Sequence, residues 1–270
     1  MSETKAPSEV EIHGNYDETQ IGIILKAAQC MGQPIQILDL ATGPNDFNPR
    51  LVERLILEGL DYRLVLTDIS PRHLSIGYGN LEAALPKQEM EKIIPVIADC
   101  RDLRRNLDVV RIGGEMVSLD EAVREYPFLR RRLESPEDEA SDMVHALTRG
   151  YFEDAAFDLV IGEIPYSSVG DSSLVANEVA RLLKPGGYHI ISEMQVEWVN
   201  PQAKRTPEAL ARANRKTIQE VRGELNRVLE QVPPIYSLIH FFENDEGMPE
   251  QAMQKGDIVK HAIMVYKKGR

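Results

Sequence analysis

Residues Ile35–Asn45 read IQILDLATGPN, and this stretch decides how the rest of the chain is interpreted. Its first six residues are a largely apolar run that carries Asp39, and the run ends in a turn that contains Gly43. A run that does not alternate between apolar and polar residues is typical of a strand buried on both faces of a parallel sheet. A glycine in the turn lets the backbone approach a neighbouring group closely, because glycine has no Cβ atom.

The same pattern recurs along the chain. Four further apolar runs predict strands, at Arg63–Thr67, Ile93–Ala98, Phe157–Gly162 and Gly187–Ser192. Helical patterns lie between them at Asn48–Glu58, Pro71–Leu85 and Ser172–Leu183. Alternating strands and helices in this order predict an α/β fold with a doubly wound, mostly parallel sheet.

The last part of the chain departs from that order. A helical pattern predicts a long helix from about Pro207 to Val232, which Pro233 and Pro234 would end. Two predicted strands follow, Ile235–Phe242 and Ile258–Lys267, and the loop between them is too short for a crossover helix. We therefore expect a seven-stranded sheet with one antiparallel strand near the C-terminus.

The chain divides into two parts. Residues 1–34 are expected to form a loose arm followed by a helix from about Asp17, and residues 35–270 form the main domain. Residues 104–150 lie between the third and fourth strands and exceed what a crossover needs, so they are an insertion. Their mixed charges indicate a solvated helical surface, and we expect a mostly helical cap over the carboxyl ends of the strands.

Composition limits the classes of partner. The net charge is −12, which disfavours a nucleic-acid partner and favours small molecules, with proteins as a second choice. No apolar run approaches the ~20 residues of a membrane span, and the first residues do not resemble a signal peptide, so we expect a cytoplasmic protein without membrane contact. The two cysteines, Cys30 and Cys100, are expected to be buried free thiols, and no His or Cys spacing indicates a metal site.

Five ordered segments together resemble the class I S-adenosylmethionine-dependent methyltransferases, which have a Rossmann-like fold. The resemblance covers about Ile35–Lys268, and its segments are Ile35–Asn45, Leu64–Ser70, Val96–Leu103, Phe157–Tyr166 and Leu182–Tyr188. The last of these contains Leu-Lys-Pro-Gly-Gly, a turn that is typical of the family and has no chemical role. Its Lys184 would lie near the negative end of the preceding helix.

The resemblance implies S-adenosylmethionine as the cofactor and assigns residues to it. It implies that Asp39 lies near the methionyl ammonium group, and that Ala41, Gly43 and Asn45 form the turn against the cofactor. Ala41 and Asn45 depart from the family's glycine-rich pattern.

The second segment places Asp68 at the end of a strand, where a carboxylate can accept hydrogen bonds from both ribose hydroxyls. Ile69 follows it and is assigned to the same site. A helix cap is the alternative role here, and Ser70 is the better candidate for that cap.

The third segment implies that Asp99 faces the adenine amino group and that the backbone N–H of Cys100 faces a ring nitrogen. Asp102 competes with Asp99, although Asp99 is better placed at the tip of the strand.

The fourth segment lies where the family has its acceptor-facing loop. Glu163 is the first candidate for a general base and could instead contact the methionyl group or be structural, and Tyr166 is the second candidate. Glu163 and Ile164 replace the first residues of the family's Asp/Asn-Pro-Pro-Tyr motif, so the loop does not indicate N-methylation. His189, inside a predicted strand, is expected to be a core residue, and Tyr16 to be a surface residue or a lid.

The sequence thus predicts methyl transfer to an oxygen or nitrogen atom of a small molecule, or of a protein, by in-line displacement. A partner protein that binds S-adenosylmethionine without catalysis is an alternative, because of the departures at Ala41 and Asn45. An NAD(P)-dependent oxidoreductase is a second alternative, but it needs a pyrophosphate cradle with three glycines, and Asp46 would repel a diphosphate.

Overall fold

The structure is a computed structural model that describes residues 9–11, 16–44, 46–103, 109–112, 115–118, 152–163, 166, 172–197, 217–241 and 258–269. The helices are α1 Tyr16–Ala28, α2 Phe47–Leu57, α3 Pro71–Ala84, α4 Lys87–Met90, α5 Ser172–Leu182 and α6 Ile218–Leu225. The strands are β1 Glu9–Glu11, β2 Ile35–Leu40, β3 Tyr62–Asp68, β4 Ile93–Ile97, β5 Val109–Ile112, β6 Glu115–Ser118, β7 Phe157–Glu163, β8 Leu183–Glu197, β9 Glu230–Phe241 and β10 Ile258–Lys267.

The main sheet has the strand order β1-β9-β10-β8-β7-β2-β3-β4. Strands β4, β3, β2, β7 and β8 are parallel, whereas β10 runs antiparallel to both of its neighbours, β8 and β9. This arrangement confirms the predicted seven strands with one antiparallel strand. It also disfavours the dinucleotide-binding alternative, for which a sixth parallel strand was expected in place of β10.

Helices cover both faces of the sheet and account for the apolar runs. Ile37 on β2 belongs to a core cluster with α1, α2 and α3, and the next residue, Leu38, belongs to a second cluster with α5 and α6. Both faces of each central strand are therefore buried, which is why the sequence does not alternate there.

The predicted long helix is wrong where it extends past residue 225. Helix α6 starts with a capping box, in which Thr217 and Glu220 exchange hydrogen bonds with each other's backbone N–H groups, and it ends at Leu225. Thr217 falls in the interior of the predicted helix, so this start signal was missed. Residues 207–216 of the prediction lie outside the described residues.

Pro233 and Pro234 lie within β9 instead of ending a helix. They face a register irregularity, since Val232 pairs with Val265 and Tyr236 pairs with Ile263. A bulge of this kind accommodates residues that lack a backbone donor, so the prolines interrupt the ladder without ending the strand.

Three smaller expectations also need correction. Within the arm, Glu9–Glu11 form β1, which pairs in parallel with β9 as an eighth strand. The described part of the insertion is a β-hairpin of β5 and β6, not a helix. The helical character of residues 119–150 and the position of the insertion as a cap stay predictions, because those residues lie outside the described set. Cys30 is exposed, although Cys100 is buried as expected.

Candidate functional site

The predicted site residues converge on one edge of the sheet. Asp39 and Asp68 lie at the carboxyl ends of β2 and β3, Asp99 follows β4, and Glu163 ends β7. These four strands are parallel neighbours, so their carboxyl ends share one edge. Open α/β sheets bind ligands outside this edge, at the point where the strand order reverses.

The turn after β2 has an unusual backbone. Ala41 and Gly43 both have positive φ angles, of 54° and 63°. Gly43 adopts that conformation without strain, but the Cβ atom of Ala41 makes it costly there. Although alanine departs from the family's glycine-rich pattern at position 41, the backbone of the turn still lies in the left-handed region there. Asn45 lies outside the described residues, so its assignment stays a prediction.

Asp39 is buried behind this turn. One of its carboxylate oxygens accepts a hydrogen bond of 2.7 Å from Asn48 Nδ2, at the start of α2. Burial and, to a smaller extent, the charge of Asp68 raise the pKa of Asp39 to about 7. The hydrogen bonds from Asn48 and Thr42 oppose this rise. Asp39 is thus poised to ionise when a cation comes near.

Asp68 holds the turn and the next helix together. Its two oxygens accept the backbone N–H groups of Gly43, at 3.0 Å, and Ser70, at 2.7 Å. Each carboxylate oxygen retains a second acceptor site, so ribose hydroxyls could still be bound. Ser70 accepts the His73 N–H at the start of α3, which confirms its role as helix cap. Ile69 exposes 51% of its surface beside this carboxylate.

Asp99 carries a partner that the sequence reasoning missed. The guanidinium Nε of Arg101 donates to both carboxylate oxygens, at 2.9 and 3.1 Å. Partial burial opposes ionisation of Asp99, but the hydrogen bonds and charge of Arg101 outweigh it and lower the pKa. Burial and the charge of Asp99 raise the pKa of the neighbouring Cys100 thiol to about 12. At neutral pH a carboxylate therefore lies beside a protonated thiol.

Glu163 is the most perturbed acid of the edge. Burial, followed by the charges of Asp17 and Asp39, raises its pKa to about 8, and the charge of Arg50 opposes this only in part. A carboxyl group with a pKa near neutrality suits proton transfer. The geometry favours Glu163 over Tyr166 as a base.

Tyr166 lies in the core, where its ring is fully buried. The Nδ1 atom of His189 lies 2.8 Å from the Val160 carbonyl, which can only accept, so Nδ1 carries the proton. The other ring nitrogen then accepts from the Tyr166 hydroxyl at 2.7 Å. His189 is therefore a satisfied core residue, as predicted, and its hydrogen bond holds the Tyr166 side chain in the core. The buried Glu193 adds a second anchor by accepting the Tyr166 N–H at 2.8 Å.

The buried His189 predicts a dependence of stability on pH. Burial lowers its pKa from 6.5 to about 4, so below pH 6.5 the unfolded chain binds a proton that the folded protein does not. Its contribution is present above pH 6.5 and is lost as the pH falls towards 4. Between pH 6.5 and 5 we expect the wild type to lose about 1.5 kcal/mol more unfolding free energy than His189→Leu loses. Urea denaturation at both pH values measures this, and equal losses would contradict the buried, neutral histidine.

The first turns of helix α1 lie at the same edge, and the hydroxyl of Tyr16 is buried there, so the expectation that Tyr16 is a surface residue is wrong. Arg50 and Arg54 of α2 pair with Asp17 and Glu18 in the first turn of α1. Its Gln20 lies fully buried and donates from Nε2 to the Gly162 carbonyl at 3.4 Å. Predicting these contacts would have required knowing that the first helix packs against the second.

Two buried acceptor atoms beside Asp39 allow a test of whether a ligand fits. The carboxamide oxygen of Asn48 lacks a hydrogen-bond partner, and the hydroxyl of Thr42, which is close enough to Asp39 to lower the pKa of its carboxyl group, accepts no hydrogen bond. Together with the carboxylate they form a group of acceptors, which suits the ammonium group of a methionyl moiety. The residues present therefore fit the cofactor that the sequence implies.

Other kinds of site find less support in the described residues. No group of three or more His, Cys, Asp and Glu side chains could hold a metal ion in that part of the chain. None of its helices combines the length and the hydropathy needed to cross a membrane.

Comparisons with known proteins agree with this architecture. No protein-family model matches the sequence, and no curated protein matches it at a significant level. Among solved structures, a provisionally assigned sarcosine dimethylglycine methyltransferase from Galdieria sulphuraria is 12% identical and has a TM-score of 0.57, with 94% of this chain and 85% of that chain covered.

Two further structures show the same similarity. A provisionally assigned methyltransferase from Bacillus halodurans is 11% identical and has a TM-score of 0.54, and the alignment covers 93% of this chain and 100% of that chain. Phosphoethanolamine N-methyltransferase 2 from Haemonchus contortus, in complex with S-adenosyl-L-methionine, is 12% identical, has a TM-score of 0.51 and is covered over 53% of its length. The chain thus has the fold of the class I S-adenosylmethionine-dependent methyltransferases.

Proposed function

We propose that this protein is an S-adenosylmethionine-dependent methyltransferase whose acceptor is an oxygen or nitrogen atom of a small molecule, with a protein acceptor as the second choice. The observation that carries the proposal is the row of carboxylates Asp39, Asp68 and Asp99 at the ends of three adjacent parallel strands. A fold can host many activities, so the argument rests on this site and not on the fold alone.

Different residues of the chain would hold the three parts of the cofactor. Asp39 with Asn48 would hold the methionyl ammonium, Asp68 with Ile69 the ribose, and Asp99 with the Cys100 backbone the adenine. The left-handed turn at Ala41 and Gly43 would let the backbone approach the cofactor closely. When bound, S-adenosylmethionine supplies an electrophilic methyl group.

Glu163 would accept a proton from the acceptor atom. It ends β7 and is the register partner of Ser192 on β8, which supports a defined position for its backbone at this edge. Helix α1 would exclude water from this edge. Because of the composition, we place the reaction in the cytoplasm. We also propose that the insertion 104–150 covers the acceptor side.

Thermal denaturation with S-adenosylmethionine, S-adenosylhomocysteine and NADH tests the function. A ligand at 100 times its dissociation constant stabilises the folded state by ~2.7 kcal/mol, which raises Tm by roughly 5 to 10 °C for a chain of this size. We expect this shift with the two sulfur compounds and none with NADH. A shift with NADH alone would support the oxidoreductase. No shift with any of them would indicate a fold that has lost its cofactor.

Cofactor binding should also release protons. At pH 7 Asp39 is about half protonated and Glu163 mostly protonated, because burial raises their pKa values to about 7 and 8. A bound ammonium group lowers both pKa values, so we expect release of about one proton when S-adenosylhomocysteine binds. Calorimetry in phosphate and in Tris buffer measures it, because the two buffers have different ionisation enthalpies.

The matched variant is Asp39→Asn, which should reduce the release by about half a proton. Equal binding enthalpies in the two buffers for the wild type would contradict the protonated state of these two acids.

A further inference from the structure

One group of polar side chains at this edge lies outside the set of residues proposed to hold the cofactor. It lies where the first turns of α1 meet the ends of β7 and β8, and we name it the α1–β8 cluster: Tyr16, Gln20, Glu163, Ser192 and Glu193. Glu163 and Ser192 are register partners on adjacent strands. Burial raises the pKa of Tyr16, the side chain of Ser192 opposes this, and the charges of Glu193 and Glu163 add to it, so these groups lie near Tyr16.

The geometry of α1 places this cluster at the end of the site. The ring of Tyr16 packs against the ring of His261 on β10, with 4.9 Å between centroids. Gln20, one turn further along, contacts the carbonyl of Gly162, the residue before Glu163. Tyr16 therefore lies towards β10 and Gln20 lies at β7 beside Glu163, whereas Asp39 and Asp68 lie on the β2 side.

The buried carboxamide oxygen of Gln20 receives no hydrogen bond. The side chain is fully buried, its nitrogen donates to Gly162, and its oxygen has no hydrogen-bond partner. An unpaired buried acceptor costs ~1–3 kcal/mol, so a bound group that donates to it would be stabilised. This oxygen is independent of the carboxylates and points to the same kind of ligand.

The charges around the cluster have one dominant sign. Glu163 and Glu193 belong to it, and Asp17 and Asp39 act on it through their charges. Arg50 is the cation that acts on Glu163, and its guanidinium is paired with Asp17. A ligand with positive charge and several N–H donors fits these surroundings, whereas an alcohol offers one donor and no charge.

We propose that the α1–β8 cluster binds the methyl acceptor and that this acceptor is an aliphatic amine, bound as its ammonium ion. The proposal rests on the proposed function and makes it more specific, because it selects nitrogen over oxygen. Tyr16 and Gln20 become residues that determine acceptor specificity, a role that no motif in the sequence indicated.

The transfer step balances with the groups present. The ammonium ion gives one N–H proton to the Glu163 carboxylate, and the freed nitrogen lone pair forms a bond to the methyl carbon. The carbon–sulfur bond breaks with its electron pair on sulfur, and the product nitrogen keeps the positive charge. Glu163 then returns its proton to solvent. The ammonium ion itself lowers the pKa of Glu163 and so ionises it for this step.

The test uses the full chain saturated with S-adenosylhomocysteine and two probes of matched shape, benzylamine and benzyl alcohol. Calorimetric titration should show benzylamine binding about tenfold more tightly or better. In Gln20→Leu and in Glu163→Gln the preference should fall below about threefold. Gln20→Leu should keep its affinity for S-adenosylhomocysteine within about twofold.

Gln29→Leu is the matched control, because Gln29 is exposed and contacts Glu58 far from the cluster. It should retain the full preference for benzylamine. Equal binding of the two probes to a wild-type protein that binds S-adenosylhomocysteine would overturn the amine proposal alone. Loss of S-adenosylhomocysteine binding in Gln20→Leu would also overturn it, since Gln20 would then belong to the cofactor site. A wild type that does not bind S-adenosylhomocysteine would overturn the proposed function as well.

Discussion

Asp68→Ala should weaken the binding of S-adenosylhomocysteine by about 2 to 4 kcal/mol, or roughly 30- to 700-fold. The substitution removes two charge-assisted hydrogen bonds to the ribose hydroxyls. It also releases the backbone N–H groups of Gly43 and Ser70, which the carboxylate holds at 3.0 and 2.7 Å. The turn that approaches the cofactor therefore loses its support at the same time. Isothermal titration calorimetry measures the effect.

Ser70→Ala separates binding from stability. Its hydroxyl caps α3, so the substitution should lower the unfolding free energy by about 1 kcal/mol and leave the affinity unchanged. Wild-type affinity in Asp68→Ala would refute the ribose assignment. An equal loss of affinity in both variants would attribute the effect to the start of α3.

Gly77→Ala should damage the cofactor turn from the opposite side. A Cβ atom at Gly77 would lie 2.8 Å from the backbone oxygen of Gly43 and 3.3 Å from the side chain of Thr42. Backbone atoms cannot yield as a flexible side chain can, so α3 and the turn must separate. We expect a loss of about 1 to 3 kcal/mol in unfolding free energy and at least about a tenfold loss in affinity for S-adenosylhomocysteine.

Gly79→Ala is the control within the same helix. Gly79 is exposed, and no atom lies within 4 Å of the position its Cβ would take. Alanine there should leave the affinity unchanged and stabilise the helix by up to about 1 kcal/mol. Denaturation and calorimetry on both variants make the comparison. If Gly77→Ala bound the ligand as the wild type does, close packing between α3 and the turn would not matter for the site.

The sequence predicted the parallel half of the sheet well, because burial on both faces leaves a strong signal. Strand β2 was placed at its observed bounds, Ile35–Leu40, and β10 at Ile258–Lys267. The other central strands differ mainly at their ends, where pairing with a neighbour extends them. Strand β8, for example, already begins at Leu183, within the segment that was predicted to be a turn.

Elements that depend on tertiary contacts were missed. Strand β1 consists of Glu-Val-Glu, whose composition gives no strand signal, and it exists because β9 offers a free edge. Lys184 lies near the end of α5, as expected, but the sequence did not indicate that its ammonium contacts Asp158 on β7 at 2.8 Å. Pairing across the sheet decided both outcomes.

Within the site, the residue types were predictable and their partners were not. A carboxylate after a buried strand marks the edge, and the resemblance to the methyltransferases assigned Asp39, Asp68 and Asp99 among such residues to the cofactor. Arg101 beside Asp99 and Asn48 beside Asp39 are revealed only by their contacts. The roles assigned to the site residues stay predictions until a ligand is bound.

A crystal structure of the protein with S-adenosylhomocysteine tests the central claim most directly. We predict that the ligand lies across the carboxyl ends of β2, β3 and β4, with both ribose hydroxyls on the Asp68 carboxylate and the methionyl ammonium near Asp39. The adenine amino group should face Asp99. A ligand bound elsewhere on the chain, or across this edge with its ribose away from Asp68, would contradict the proposed site.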